Sequence, residues 1–520
     1  MYWTKVAVVG IVVFIVLVPL LPFNMSLISN AEGTSVSDTY WVTLARNAWN
    51  YFAVGAAVNP NTGLANADIQ YQYFTDWDIG NYIQAIVDAQ KVGLINRTGA
   101  WGADDRLNRV LTFLENRQLT ARGLPYCWYS SATGQFSVDQ DVVVTDTGRL
   151  LSALNGVKQY DPSLTQRVNN IVYNRTNYQP DKLVVSSLLS DVTAGRRTAS
   201  VYDYYVIRGF ASFWPQLYSK EAVDYLSYIA SIGTVTYQGV SLPKINNLPD
   251  PLLLCVFEFQ DNDQKLLDLL RETYLVQEAR YNATGKYAAF SEGSTGLDGI
   301  PFVYEWITTA DGRMWVNQIV SQQGVITEVH MVPVIYFKVA VGLQAIYSTS
   351  YTQNMVNHLV SQLPYPAKGY NQGVDENGRV LLSNNIGVSN SFIITAARYA
   401  LEHKVTVQDP QPVLTPSNPA PSATPMPNPT QNPQSTDNTT PTPPAPSAPT
   451  QDPTVTCSPS STPVTSQNQN QISGQSSNIP IEYLVISSAV ITAVAVLVTV
   501  SYRKRVEHRE KVTFRTLKRD

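Results

Sequence analysis

Two stretches of the chain set carboxyl groups among aromatic rings. F-T-D-W-D-I-G-N-Y (74–82) holds Asp76 and Asp78 on either side of Trp77. In S-E-G (291–293), Glu292 opens a run that continues to Tyr304, Glu305 and Trp306. Two carboxyl groups from separate places are what hydrolysis of a glycosidic bond requires. One donates a proton to the leaving oxygen, and the other activates water or attacks the sugar. Glu292, flanked by glycine and so exposed rather than packed, is the candidate general acid, because aromatic neighbours that exclude water raise a carboxyl pKa. Asp76 or Asp78 is the candidate base. Trp77, Asp146, Asp203, Tyr304, Glu305 and Trp306 are the candidate sugar contacts, through ring faces or hydrogen bonds.

Each acid also has a plainer reading. Asp76, Asp78, Asp146 (V-V-T-D-T-G-R-L-L), Asp203 (S-V-Y-D-Y-Y) and Asp250 stand where helices start. An acid there satisfies free N–H groups and complements the helix dipole. Acids repeated at several helix starts, with aromatics beside them, exceed what capping needs. Other chemistries lack their residues. Only His330, His358 and His403 fall in the region carrying these motifs, without metal-ligand spacing. There is no G-x-S-x-G nucleophile elbow. A-T-G-K-Y (283–287) lacks the first glycine and the Ser/Thr of a phosphate loop, and no dinucleotide fingerprint occurs. Neither metal nor cofactor is expected.

The elements that must position these groups are helical. Trp41, Leu44, Ala45, Ala48, Trp49 and Phe52 recur at the spacing of one helix face. The same spacing marks 79–94, 107–114, 147–160, 164–173, 202–214, 223–232, 252–259, 266–274, 334–347, 355–363 and 392–401. These twelve helices pair as consecutive hairpins, with the first left to pair with the last. The expectation is an all-α, (α/α)6 toroid, with inner helices such as 202–214 and 334–347 apolar almost all round. Turn sequences at 59–65, 130–136, 281–287 and 375–381 predict short β-hairpin loops on one rim. Loops leading into inner helices would line the cleft, and Glu328 and His330 are placed at such a loop with the acids named above.

F-T-D-W-D-I-G-N-Y, V-T-D-T-G-R-L-L-S-A-L and A-F-S-E-G-S-T-G-L-D-G-I-P-F-V-Y-E-W, followed by D-G-R-M-W, resemble a family of secreted or membrane-bound prokaryotic proteins. It is catalogued as domain of unknown function 3131 and often described as glucoamylase-like. The resemblance covers about residues 40–400, with the three motifs in order. It implies an (α/α)6 toroid akin to glucan-cleaving glycosidases and carries over no catalytic pair.

Composition places this domain within a longer plan. Residues 1–31 contain an uncharged apolar run after Lys5, either a signal peptide or a retained N-terminal anchor. Residues 34–404 form the folded domain. Residues 405–480 carry most of the chain's prolines among Thr, Ser, Asn and Gln; such a stretch cannot bury enough apolar surface to order itself and reads as a disordered stalk. Residues 483–502 hold no charge over a length that crosses a bilayer, and the basic tail 503–520 marks the cytoplasmic side. The expected arrangement is a single-pass protein in the cell membrane with an extracellular domain. Outside the tail, acids exceed bases, which argues against a nucleic-acid partner. Sequons at Asn96, Asn174, Asn282 and Asn438 fit an external surface. Cys127 and Cys255 are either paired or separate buried thiols, and Cys457 lies in the stalk. Two functions fit this plan: a glycosidase acting on an external or envelope glucan, or a non-catalytic carbohydrate-binding or structural protein using the same cleft. The expected partners are a polysaccharide or oligosaccharide and the membrane.

Overall fold

The computed structural model describes residues 36–407, apart from 298–299, 321–325, 364–366 and 382–385. The expected N-terminal segment, membrane span and basic tail, and the stalk beyond residue 407, lie outside the described residues. Among the described residues, no helix is long and apolar enough to cross a membrane.

The described chain is mostly helical. In order, the helices are α1 (Val36–Trp49), α2 (Asp76–Lys91), α3 (Ala103–Asn116), α4 (Val144–Tyr160), α5 (Thr165–Asn169), α6 (Gln179–Thr193), α7 (Val201–Ala211), α8 (Pro215–Ser231), α9 (Pro249–Phe259), α10 (Gln264–Thr284), α11 (Phe337–Tyr347), α12 (Ser350–Gln362) and α13 (Gly387–Glu402). Six of them, α2, α4, α7, α9, α11 and α13, pack each on the next, and α13 packs back on α2. The remaining helices lie against this circuit. α3 packs on α2, α5 and α6 on α4, α8 on α7, α10 on α9 and α12 on α11, and the first helix, α1, packs on the last. All twelve expected helices are present in these pairings.

Small residues let the circuit close. A Cβ on Gly209 of α7 would stand 2.2 Å from the Gly148 carbonyl of α4, so these two helices meet backbone to backbone. The six helices are not apolar all round. Arg149 of α4, 1% exposed, donates to Tyr205 of α7 (2.9 Å), Glu258 of α9 (2.5 Å) and Asn81 of α2 (3.0 Å). Ser152 and Tyr205 complete the shell around Glu258 at 2.9 and 2.7 Å. A buried guanidinium is tolerated only when its donors are met in this way.

The strands are β1 (Tyr73–Phe74), β2 (Tyr129–Ser130), β3 (Thr234–Tyr237), β4 (Val240–Pro243), β5 (Glu292–Leu297), β6 (Ile300–Thr308), β7 (Met314–Val320), β8 (Ile326–Glu328), β9 (Val334–Tyr336) and β10 (Gly373–Asp375). β5–β6–β7–β8 form an antiparallel meander between α10 and α11, larger than the short hairpins expected. Three of the four expected turns close hairpin-like bridges, at 59–65, 130–136 and 375–381. The fourth corrects the expectation: 281–287 runs off the end of α10, where Gly285 (φ 70°) is a left-handed helix cap. Residues 334–336, expected as helix, form β9 against β10. α6 was not foreseen. Its exposed Leu183 and Val184 interrupt the face made by Val185, Leu188 and Val192, and blur the period. Cys255 is a free, buried thiol and Cys127 is disulfide-bonded, so the two are not joined to each other.

Candidate active site

The first turns of α2, α4, α7, α9 and α11 bring their polar side chains to one region, and β5 and β6 cover it. α2 starts at Thr75, whose hydroxyl accepts from the N–H groups of Trp77 (3.1 Å) and Asp78 (3.4 Å). Asp78 reaches back and accepts from the Thr75 N–H (2.9 Å) and hydroxyl (3.1 Å), both on Oδ2, completing a capping box. Burial raises its pKa to about 6, against the pull of these Thr75 bonds.

Asp76, one turn position away, faces elsewhere. Its carboxylate forms a two-point pair with Arg117, Nη1 on Oδ1 and Nη2 on Oδ2 (3.1 Å), with both side chains fully buried. Asp146, in the first turn of α4, is 8% exposed, and its Oδ2 is buried without a hydrogen-bond partner among the described residues. Burial pushes its pKa well up, and the charges of Asp78, Asp76 and Glu292 push it further. These four carboxyl groups from α2, α4 and β5 therefore share one electrostatic neighbourhood.

Glu292 begins β5 and stands directly across from Tyr304 in the β5–β6 ladder. The glycine after it has a steric reason. A Cβ at Gly293 would lie 2.1 Å from Gln372 Oε1 and 2.7 Å from the Tyr336 ring, so only glycine lets these groups approach. Contrary to the exposure expected of a glycine-flanked acid, Glu292 is buried, and burial raises its pKa to about 7. Lys338 draws it down, Asp250 pushes it up, and the Tyr202 and Tyr304 hydroxyls draw it down again. Lys338 of α11 pairs with Asp250 of α9 at 2.7 Å, and the Ser291 hydroxyl donates to the same Oδ1 at 2.8 Å.

Aromatic rings continue from these acids. Trp77 lies 6.1 Å from Tyr202, and Tyr202 is edge-on to both Tyr304 and Trp306 at 6.3 Å. Tyr304 and Trp306 stack at 5.2 Å with planes 6° apart. Alternation along β6 puts these two on one face and Glu305 on the other. Glu305 is fully buried there, and both its oxygens accept from the Val334 N–H (3.0 and 3.2 Å). Its carboxylate is closed to a sugar. Asp203 is likewise engaged: Arg197 and the Tyr225 hydroxyl each donate to it at 2.7 Å, and it is 1% exposed. Glu328, at the end of β8, pairs with Arg313 on the exposed side of the sheet.

Sequence reasoning passed over Tyr202 and Lys338 as working groups. Tyr202 sat within the apolar pattern of α7. Lys338 had a legible signal, a lone charge in Y-F-K-V-A-V-G-L. Among the described residues, no group of three or more His, Cys, Asp or Glu side chains is arranged to hold a metal ion.

The chain belongs to the DUF3131 family, described as a protein of unknown function, whose family model matches residues 43–403. No curated protein matches the sequence. Its fold is similar to that of a "putative glucoamylase" from Bacteroides uniformis, at 13% identity and a TM-score of 0.50, covering 71% of this chain and 93% of the other. Likeness extends to an endo-β-1,2-glucanase from Chitinophaga pinensis solved with sophorotriose and glucose (12% identity, TM-score 0.48, 71% and 93% covered). A third structure, an endo-β-1,2-glucanase from Talaromyces funiculosus with sophorose, is 9% identical with a TM-score of 0.49, covering 70% and 86%.

Proposed function

We propose that the protein is a membrane-anchored glycoside hydrolase of the cell surface, an (α/α)6 toroid that cleaves a glucan or envelope polysaccharide at the rim where the inner helices start. The observation that carries this reading is Glu292. It is a buried carboxyl whose pKa of about 7 keeps a proton available near neutrality, and it stands beside stacked Tyr304 and Trp306. That is the condition of a general acid. Glu292 protonates the glycosidic oxygen, and sugar rings lie along Trp77, Tyr202, Tyr304 and Trp306.

The base is Asp78. It ionises above about pH 6, and its Oδ1 is unengaged among the described residues. Asp76 serves less well, because Arg117 holds both its oxygens. Burial and the neighbouring carboxyl groups disfavour the ionised form of Asp146, which makes it less suited to serve as the base. The cytoplasmic tail and outward-facing domain follow the charge pattern of the sequence.

The test is reducing-sugar release by the full-length protein from a panel of α- and β-glucans, including β-1,2-glucan. Glu292→Gln and Asp78→Asn are each expected to lower release at least about a hundredfold while binding persists. Undiminished release in Glu292→Gln would sink the assignment. One observation favours the second reading, a non-catalytic carbohydrate-binding protein: the Asp76–Arg117 pair neutralises one of the two acids flanking Trp77. Retention on a glucan gel without release from any substrate would select it.

A further inference from the structure

Away from the carboxyl cluster, one cavity of about 260 Å³ is lined by three cations, Arg196, Arg197 and Lys244, with Tyr228, Ile232 and Ala310 among its walls. It adjoins the segment leading into α7, where Arg197 donates to Asp203 at 2.7 Å. The Nε of Arg197 is buried and has no hydrogen-bond partner among the described residues. A buried donor in that state bears its desolvation cost without compensation. Arg196, at the exposed margin, pairs with Asp191 at 2.6 Å. Lys244 is in none of the ion pairs among the described residues. Its stem runs beside the β6–β7 turn, since a Cβ on Gly312 would come within 3.0 Å of Lys244 Cε. Three cations therefore face two acids.

We infer that this cavity binds an oxyanion: a phosphate, sulfate or carboxylate group. The Lys244 ammonium and the two guanidinium groups on the cavity wall supply charge-assisted hydrogen bonds of the kind that hold such groups, with Arg196 at the margin. The site is separate from the carboxyl cluster and stands whether or not the protein hydrolyses glycosides. The same oxyanion chemistry is offered by a free inorganic anion and by a charged substituent on a polysaccharide.

Calorimetric titration of the full-length protein with inorganic phosphate, sulfate and glucuronate at low salt tests this, with glucose as the neutral control. A uronate-bearing polysaccharide and a neutral glucan form a second arm. At least one oxyanion is expected to bind while glucose gives no signal at this site. Lys244→Gln combined with Arg196→Gln, two changes at the exposed margin, is expected to weaken that binding at least about tenfold, or ~1.4 kcal/mol, with the unfolding temperature unchanged. Arg197→Lys keeps the charge beside Asp203 but removes the planar guanidinium from the wall, and is expected to weaken binding as well. Tighter binding of the charged polymer than of glucuronate would assign the cavity to a polymer substituent, and parity would assign it to a free anion. Absence of binding for all three anions, or binding unaltered in the double variant, overturns the inference.

Discussion

Replacing Glu292 with glutamine is expected to abolish catalysis and, at the same time, to strengthen the fold in alkaline solution. Burial moves this carboxyl from its ordinary 4.5 to about 7. The native chain therefore holds the proton more tightly than the unfolded chain does. The linked stability is fully present below pH 4.5, falls as pH rises between 4.5 and about 7, and is absent above. At about 1.4 kcal/mol per pH unit, the interval corresponds to roughly 3 kcal/mol. Glutamine keeps the shape and an acceptor oxygen but never ionises. Urea unfolding of both proteins at pH 4 and pH 8 isolates the effect, because most other groups titrate alike in the two and cancel. The variant is expected to match the wild type at pH 4 and to exceed it by roughly 3 kcal/mol at pH 8. A variant that is less stable at both pH values, or a difference that does not change with pH, would refute the reasoning that Glu292 is held protonated by its surroundings.

The dependence of kcat/KM on pH is expected to be a narrow bell. Its acid limb comes from Asp78, which must be ionised above about 6, and its alkaline limb from Glu292, which must be protonated below about 7. Rates for Asp78→Asn that retain the acid limb would show that another group sets it. Arg117→Ala leaves Asp76 buried and unpaired and is expected to destabilise the protein by about 3–5 kcal/mol, read from the urea midpoint; Asp76→Asn in the same background is expected to restore part of the loss. Gly209→Ala forces a methyl group into the α4–α7 contact at the Gly148 carbonyl and is expected to cost about 3 kcal/mol, measured in the same way.

The helical circuit was legible because its members repeat one pattern: an apolar face at i, i+3, i+4 and i+7, with a short loop and then a partner. The polar interior was less so. Arg149 and Glu258 lie far apart in sequence, and nothing local marks them as partners across the circuit. The sheet was hidden for a related reason. Glu292 and Trp306 were read from a motif, but a four-stranded meander has a weaker signature than a helix, and its long-range pairing is set by register. Within the site, residue type was a better guide than residue position. Asp76, Asp78 and Asp146 do come from adjacent helix starts, yet the sequence could not tell which one an arginine would claim. Glu305 shows the limit of reading by proximity. One step along a strand separates it from Tyr304 and Trp306, and that step turns it to the opposite face.

The capping box at Thr75 has a consequence for how this protein could change over time. Asp78 holds the start of α2 through one oxygen atom that accepts hydrogen bonds, and it is proposed to work through a negative charge. Asparagine supplies the same acceptor without the charge. A single exchange of oxygen for nitrogen could therefore silence the chemistry while the helix still begins in the same place. Loss of turnover need not pass through an unstable intermediate, so an active enzyme and an inert sugar-holding descendant would stand one substitution apart on the same scaffold.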